Sequence, residues 1–460
     1  MRKLILLAAT ALTLSASAAA AQDLSATAAQ LRDKALADTT AWTVTEQLTT
    51  DIGSRMVGSE GMVRARDWAV ATFKRYGFEN IKVESFKTPA WSRGAESAEV
   101  VGPTPHKLHI LGLGGSAPTP PGGLTAEVMV FKTYQAMLDQ PEGALTGKIA
   151  VVTQAMPRTQ DISSYGLTGV QRRAGAGEAA RRGAVGYLVR SLSTDDTRLP
   201  HTGGGSRAGI PSAALSPPDA ELLERLAERK KPVTVRLQME SSFNPAADAW
   251  NISGEIRGTG KTADEVIVIG GHLDSWDPGT GAIDDASGIG ITLAAAKLAA
   301  QPGKPKRTVR VVMWGSEEQG GSSGAYLEAH RAELPKLVVA GESDLGAGKI
   351  FSINLPGGSL DHPAMKAFRS TLPALGVLVT REPASSGGSD ISGIVGAGVP
   401  VVDFNQDASR YFDLHHSADD TLDKIDPKEL AQNVAVWTSF LYTVANSDID
   451  FRALAAASPK

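Results

Sequence analysis

The stretch Val266-Ile267-Val268-Ile269-Gly270-Gly271-His272-Leu273-Asp274-Ser275-Trp276-Asp277 decides the fold class. It opens on an unbroken apolar run, as a strand buried on both faces does, and such strands belong to parallel sheets covered by helices. The run ends on a histidine and two aspartates. Downstream, Ala286 to Gln301 places Ile289, Leu293, Ala296 and Ala300 on one face of a helix. Val309 to Trp314 reads as the next strand, and Leu337 to Ala340 and Val401 to Phe404 as two more. The last helix is marked by Asp426 as cap, Pro427 at its first position and Glu429 closing a capping-box pair. Leu430, Val434, Trp437, Leu441 and Val444 form its apolar stripe. Strand and helix alternate from residue 248 onward, which predicts an α/β protein with a mixed, mostly parallel sheet flanked by helices.

Working outward, residues 22 to 80 read as helices and Ile81 to Phe86 as a strand. Between about 89 and 125 the texture turns to loop, with Gly112-Leu113-Gly114-Gly115 and Pro118 to Gly123 as breakers. Short strands at 126–131, 148–153, 184–189 and 233–238, with helices at 174–182 and 220–228, read as a separate module. The chain therefore divides into a leader (1–21), a first part of the catalytic domain (22–115), an insert (116–240) and a second part (241–460). No internal repeat is evident.

Composition narrows the function. The chain has 460 residues, 42% hydrophobic and 21% charged, which excludes a disordered protein. Its net charge of −4 gives no long-range pull toward nucleic acid or anionic lipid. Cysteine is absent, so thiol nucleophiles, disulfides and cysteine-bound metals are excluded. Arg2 and Lys3, the apolar run Leu4 to Leu14 and Ala19-Ala20-Ala21 form a secretory signal pattern. No later stretch reaches the ~18 apolar residues of a membrane span. A periplasmic or secreted bacterial protein is expected, with no membrane attachment after leader removal.

The acids and imidazoles of interest each follow a predicted strand end: His272 and Asp274, then Asp284-Asp285 opening a helix, Glu317-Glu318, Asp344, and His415-His416. In an open α/β sheet those ends share one edge, where ligands bind. Two imidazoles with three or four carboxylates suit a divalent metal, and imidazole suits zinc. Asp284, central and on a tight turn, is the best candidate to bridge two ions. Asp274 is placed to accept the second ring N–H of His272. Of Glu317 and Glu318, one can bind metal while its neighbour acts as general base. Singly, each motif reads as a surface histidine or a helix cap; together they converge. A rival reading takes Gly320-Gly321-Ser322-Ser323-Gly324 as a nucleophile elbow with Asp390 and His416. The preceding strand ends at Trp314, however, which leaves Ser322 well past the turn. Gly203-Gly204-Gly205 lacks the Gly-Lys-Ser/Thr of a phosphate loop. With Pro200, His201 and Thr202 it is expected to reach over the site. Trp276 and Trp314 read as core.

These strings, with Glu342-Ser343-Asp344, His416-Ser417 and Asp420-Thr421, resemble the co-catalytic zinc exopeptidases of the aminopeptidase and glutamate-carboxypeptidase family. The likeness covers essentially the whole chain after the leader. It includes Arg55 with Gly58-Ser59, Pro200-His201-Thr202-Gly203 and Pro305 to Thr308. It implies the zinc exopeptidase fold with a β-rich, protease-associated-like insert, two zinc ions per chain, a short peptide substrate and a homodimer. It also implies His272 and Asp344 on one zinc, Glu318 and His416 on the other, and Asp284 between them. Glu317 would be the general base and Asp274 the partner of His272. The Asp284–Asp285 peptide bond would be cis. His415 stands where some relatives carry a tyrosine that stabilises the tetrahedral intermediate, and Gly388-Ser389-Asp390 resembles a substrate-pocket segment.

Overall fold

A computed structural model describes residues 24–102 and 104–457; the expected leader lies outside the described residues. Its strands are β1 (Glu79–Val101), β2 (His106–Leu108), β3 (Ile110–Gly112), β4 (Leu124–Phe131), β5 (Ile149–Val152), β6 (Gly186–Arg190) and β7 (Ser212–Leu215). They continue with β8 (Thr234–Ile256), β9 (Val266–His272), β10 (Thr308–Trp314), β11 (Leu337–Glu342), β12 (Ile350–Asn354), β13 (Leu378–Val379) and β14 (Asp403–Gln406).

The expected apolar strands at 266–270, 309–314 and 337–340 form the centre, whereas the one expected at 401–404 makes a single bridge from Val401 to Ala340 and continues as β14 in a separate sheet with β12 and β13. β9 lies between β10 and β11 and runs parallel to both. Every residue of β9 and β10 is buried, as the apolar run of β9 requires; Arg310 of β10 is buried through its bonds to Glu255 and Glu333. Trp314 pairs with His272 and Glu342 with Gly270, so the three carboxyl ends lie nearly level. Helix Ser287–Ala299, buried almost all round, packs against helices Thr40–Gln47 and Pro427–Ala445. Asp426 caps the last helix through the Lys428 N–H, at 2.7 Å, rather than through that of Glu429.

One feature departs from expectation. β1 and β8 are 23 residues each and pair antiparallel from Glu79↔Glu255 to Val101↔Thr234. The loop-like texture after residue 89 therefore belongs partly to a strand. On β1 Thr88, Ala90 and Trp91 are buried while residues 242–246 of β8 are all exposed, and register shifts at Thr88/Ala90 and Arg93/Glu96 break the alternation. Neither period-2 patterning nor apolar content can mark such a strand. The ribbon leads from β10 to β4, after which β4, β5, β6 and β7 run parallel and β3 closes the edge. These strands and the end of β1 carry their own apolar clusters, built around Ile149, Val151, Leu188 and Leu237 and around Tyr187, Val189 and Val152. Helices Gly175–Arg181 and Pro217–Glu228 flank them. Among the described residues no helix is long and apolar enough to cross a membrane.

Candidate metal centre

The level strand ends bring the predicted residues together. His272 closes β9, and its Nε2 lies 2.8 Å from Asp284 Oδ1 and 3.2 Å from Asp344 Oδ1. Asp284 turns its other oxygen to His416, 3.0 Å from Nε2, and His416 Nε2 lies 3.1 Å from Glu318 Oε2. One carboxylate thus touches two imidazoles, each of which has a further acid. The Asp284–Asp285 peptide bond is cis. Asp285 is engaged by the main chain: its oxygens accept the His272 and Gly288 N–H groups, both at 3.0 Å, although its carboxylate also lies near His272 and Asp344. Gly288 has to be glycine here, since a Cβ would stand 1.9 Å from the Ser343 carbonyl, where the helix start meets the end of β11.

Each imidazole is oriented from behind by a main-chain carbonyl. His272 Nδ1 lies 3.0 Å from the Asp274 carbonyl oxygen, and His416 Nδ1 lies 3.2 Å from that of Thr202. A carbonyl can only accept, so Nδ1 carries a proton in both rings and Nε2 is the nitrogen turned to the acids. For His272 this refines the expected partner: the Asp274 carboxylate is 3.6 Å from the ring. It instead accepts the N–H groups of Glu317 at 2.9 Å and Glu318 at 3.2 Å, and so holds the turn that carries both glutamates. His416 adopts a left-handed backbone (φ 61) and is clasped by Thr202, whose N–H donates to its carbonyl at 3.0 Å. Gly203 permits this approach, because a Cβ there would come within 2.8 Å of His416 Nδ1 and 2.4 Å of the Arg172 guanidinium carbon.

The remaining expectations fall as follows. Glu317, Glu318, Asp344, His415 and His416 line one cavity of ≈ 610 Å³, joined by Gly204 and Gly205 of the glycine loop. His201 is buried and does not line this cavity, with neither ring nitrogen hydrogen-bonded to a described residue. His415 stacks on His416 at 3.5 Å and sits 3.5 Å from Asp284 Oδ2. Ser322 donates to the Asp390 carboxylate and to the Ser316 carbonyl, with no histidine hydrogen-bonded to it among the described residues, so the serine triad is not assembled. Trp314 is core, but Trp276 is more than that: its indole N–H donates to Glu318. Arg55 is fully buried and reaches the carbonyls of Leu273 (2.6 Å), Thr280 (2.5 Å) and Gly281 (3.0 Å), clamping the loop that carries Asp274. The Trp276 contact and the arrival of Arg172 and Arg173 have no local signal in the sequence, whereas Thr202 comes with the loop expected over the site.

Electrostatics point to cations. Burial pushes Glu317, Glu318 and Asp344 above the usual carboxylate range. Burial would do the same to Asp284, but hydrogen bonds from His272 and His416 hold it well below. Conversely, burial would lower His272, and the charge of Asp344 with the hydrogen bonds of Asp274 and Asp284 lifts it well above. The acids outnumber the imidazoles in a site shielded from water, a surplus that divalent ions neutralise. The spacings fit zinc, since two ligands about 2.0–2.1 Å from a tetrahedral ion lie roughly 3.3 Å apart.

Comparison with known proteins agrees with this chemistry. Residues 251–441 match the model of Peptidase family M28. Carboxypeptidase Q of Mus musculus is 37% identical over 403 residues, covering 86% of this chain and 84% of that one. The Rattus norvegicus protein is 38% identical over 405 residues, covering 86% and 83%. The crystal structure of a Peptidase M28 precursor from Shewanella amazonensis superposes with a TM-score of 0.90 at 40% identity, covering 94% of this chain and 98% of that one. BSAP, a zinc aminopeptidase from Bacillus subtilis, shares the fold at a TM-score of 0.65 and 19% identity, covering 89% and 95%. Sequence, fold and donor set converge: the chain belongs to peptidase family M28 and is a zinc metallopeptidase.

Proposed function

We propose that this chain is an exopeptidase acting on short peptides at a centre of two zinc ions. The observation that carries this reading is Asp284, whose two oxygens address two histidines, each with its own further acid. His272 and Asp344 would hold one ion, His416 and Glu318 the other, and Asp284 both. Zinc bound there lowers the pKa of water toward neutrality and polarises the peptide carbonyl. Glu317, beside the ligands and free of metal duty, takes the proton of the attacking water. It then delivers that proton to the nitrogen of the leaving amine. Its burial favours the protonated form and so helps this second transfer. His415, in the cavity wall and kept neutral by burial, offers a ring N–H to the oxyanion. Asp274 keeps the glutamate turn in register.

Residues 116–240 would act as an inserted module whose 202–205 loop closes the site over His416. Export rests on the leader pattern, and a homodimer on the family likeness. The test is hydrolysis of dipeptides, N-blocked peptides and C-amidated peptides, with chelation and zinc add-back. Chelator-sensitive cleavage of substrates with both ends free supports a dipeptidase. Need for a free amine alone makes it an aminopeptidase. Turnover that survives full chelation refutes the metal mechanism.

A further inference from the structure

The two proposed metal positions are supported unequally from behind. His272 is oriented by the Asp274 carbonyl, two residues along its own loop. Glu318 and His416 are backed by residues from other parts of the chain. The Trp276 indole N–H donates to Glu318, and its ring lies against that of His416, with centroids 5.9 Å apart. Thr202 holds His416 through both of its main-chain polar groups. Gln319, next to Glu318, accepts the Trp91 N–H at 2.6 Å and donates to the Trp91 carbonyl at 3.1 Å.

These supports meet at one side chain, Arg93 in the middle of β1. It is 9% exposed, and all three guanidinium nitrogens are engaged. Nε and Nη2 donate side by side to the Asp277 carboxylate at 2.8 and 3.1 Å, a fork that fixes the residue next to Trp276. Nη2 also donates to the Thr202 hydroxyl at 3.0 Å, and Nη1 to the Gly112 carbonyl at 2.8 Å and to Glu96 at 3.2 Å. The Thr202 hydroxyl donates to the same Gly112 carbonyl at 2.6 Å. Trp91, two residues before Arg93, packs on Trp276 in a small apolar cluster with Met56. Arg93 does not line the catalytic cavity. Among the described residues, none of Arg93, Trp276, Asp277 and Thr202 is hydrogen-bonded to His272 or Asp344.

We propose that Arg93 is a positioning residue for one metal position only, that of Glu318 and His416. It ties the loop after β9, through Asp277 and Trp276, to the 202–205 loop, through Thr202, and so fixes the two ligands relative to each other. The His272 and Asp344 position does not depend on it. The proposal rests on the two-zinc reading above and adds a residue that makes the two sites unequal.

Zinc affinity is measured by competition against a chromophoric chelator in two altered proteins. Asp344→Ala removes a ligand of one position, and Glu318→Ala a ligand of the other. Adding Arg93→Gln should weaken zinc binding about 10- to 100-fold in the Asp344→Ala protein, as for other groups that support a ligand, and leave that of the Glu318→Ala protein unchanged. In the otherwise unaltered protein, Arg93→Gln should lower one of the two stepwise constants by that factor while the other holds. Arg93→Lys, a point charge without the fork, should restore part of the loss. Thr202→Val removes the hydroxyl and keeps the main-chain groups that hold His416. It should show the same selective loss at a smaller factor, and it decides the case if Arg93→Gln does not fold. Equal weakening of both positions, the mark of a purely structural role, or no weakening of either would overturn the assignment. Wild-type protein that binds a single zinc ion refutes the two-zinc reading itself, and the role of Arg93 with it.

Discussion

Replacing Asp274 by alanine tests the centre through a residue that binds no metal in the proposed scheme. Its carboxylate is fully buried and accepts the Glu317 and Glu318 N–H groups, while its main-chain carbonyl faces His272. Asp274→Ala keeps the carbonyl but leaves two buried donors without an acceptor. Each such group costs about 1–3 kcal/mol. Water entering the truncated space recovers a share, so we expect a loss of about 2–4 kcal/mol in the metal-free protein. The freed turn carries one proposed ligand and the proposed base. Zinc affinity should fall about 10- to 100-fold, as for other groups that support a ligand. Turnover at saturating zinc should fall about 100-fold, the lower end of what a positioned base supplies. Asp274→Asn should be intermediate, because its amide accepts one N–H and turns an NH₂ toward the other. Urea unfolding of chelated protein, zinc competition against a chromophoric chelator, and dipeptide hydrolysis measure the three effects. An Asp274→Ala protein with the wild-type urea midpoint and zinc affinity would refute the reasoning, since the two buried bonds would then contribute nothing.

Other expectations follow from the same geometry. Glu317→Gln should retain its zinc and lose at least 100-fold in kcat; near wild-type turnover at full occupancy would remove Glu317 as the base. Asp284→Ala should lower zinc content at both positions, because one side chain serves both histidines; metal analysis after dialysis showing two ions per chain would contradict the bridge. His201, fully buried, is held by desolvation at about 4, below its unfolded value near 6.5. Below 6.5 the unfolded chain binds a proton that the folded chain refuses, so this stability is complete above 6.5 and is lost as pH falls toward 4. The loss amounts to roughly 3 kcal/mol. His201→Leu should flatten the fall in urea midpoint between pH 7 and pH 4.5; parallel curves for the two proteins would show that the ring is not held neutral.

Much of the candidate set was readable because the chain advertises it locally. His272, Glu318 and Asp344 each stand at or just past the end of a buried strand and Asp284 stands before a helix, and parallel strands in register must end together; His416 follows β14, which belongs to a separate sheet, and reaches the site through turns. The ribbon of β1 and β8 was not readable beyond its first residues, because its register shifts break the alternation that marks a strand. Asp274 follows β9 as expected, yet the choice of its carboxylate between ring and turn depended on where residues 317 and 318 came to lie.

By itself the sequence determined the strand–helix alternation, the exclusion of thiol chemistry, and the order of acids and imidazoles along one sheet edge. These properties follow from periodicity and composition, which act over a few residues. The tertiary structure alone decided that Thr202 orients His416 across 214 positions, that Trp276 donates to Glu318, and that Arg173 reaches the catalytic cavity. Contacts of that kind join residues far apart in the chain through the packing of whole elements, and no local pattern in the chain encodes them.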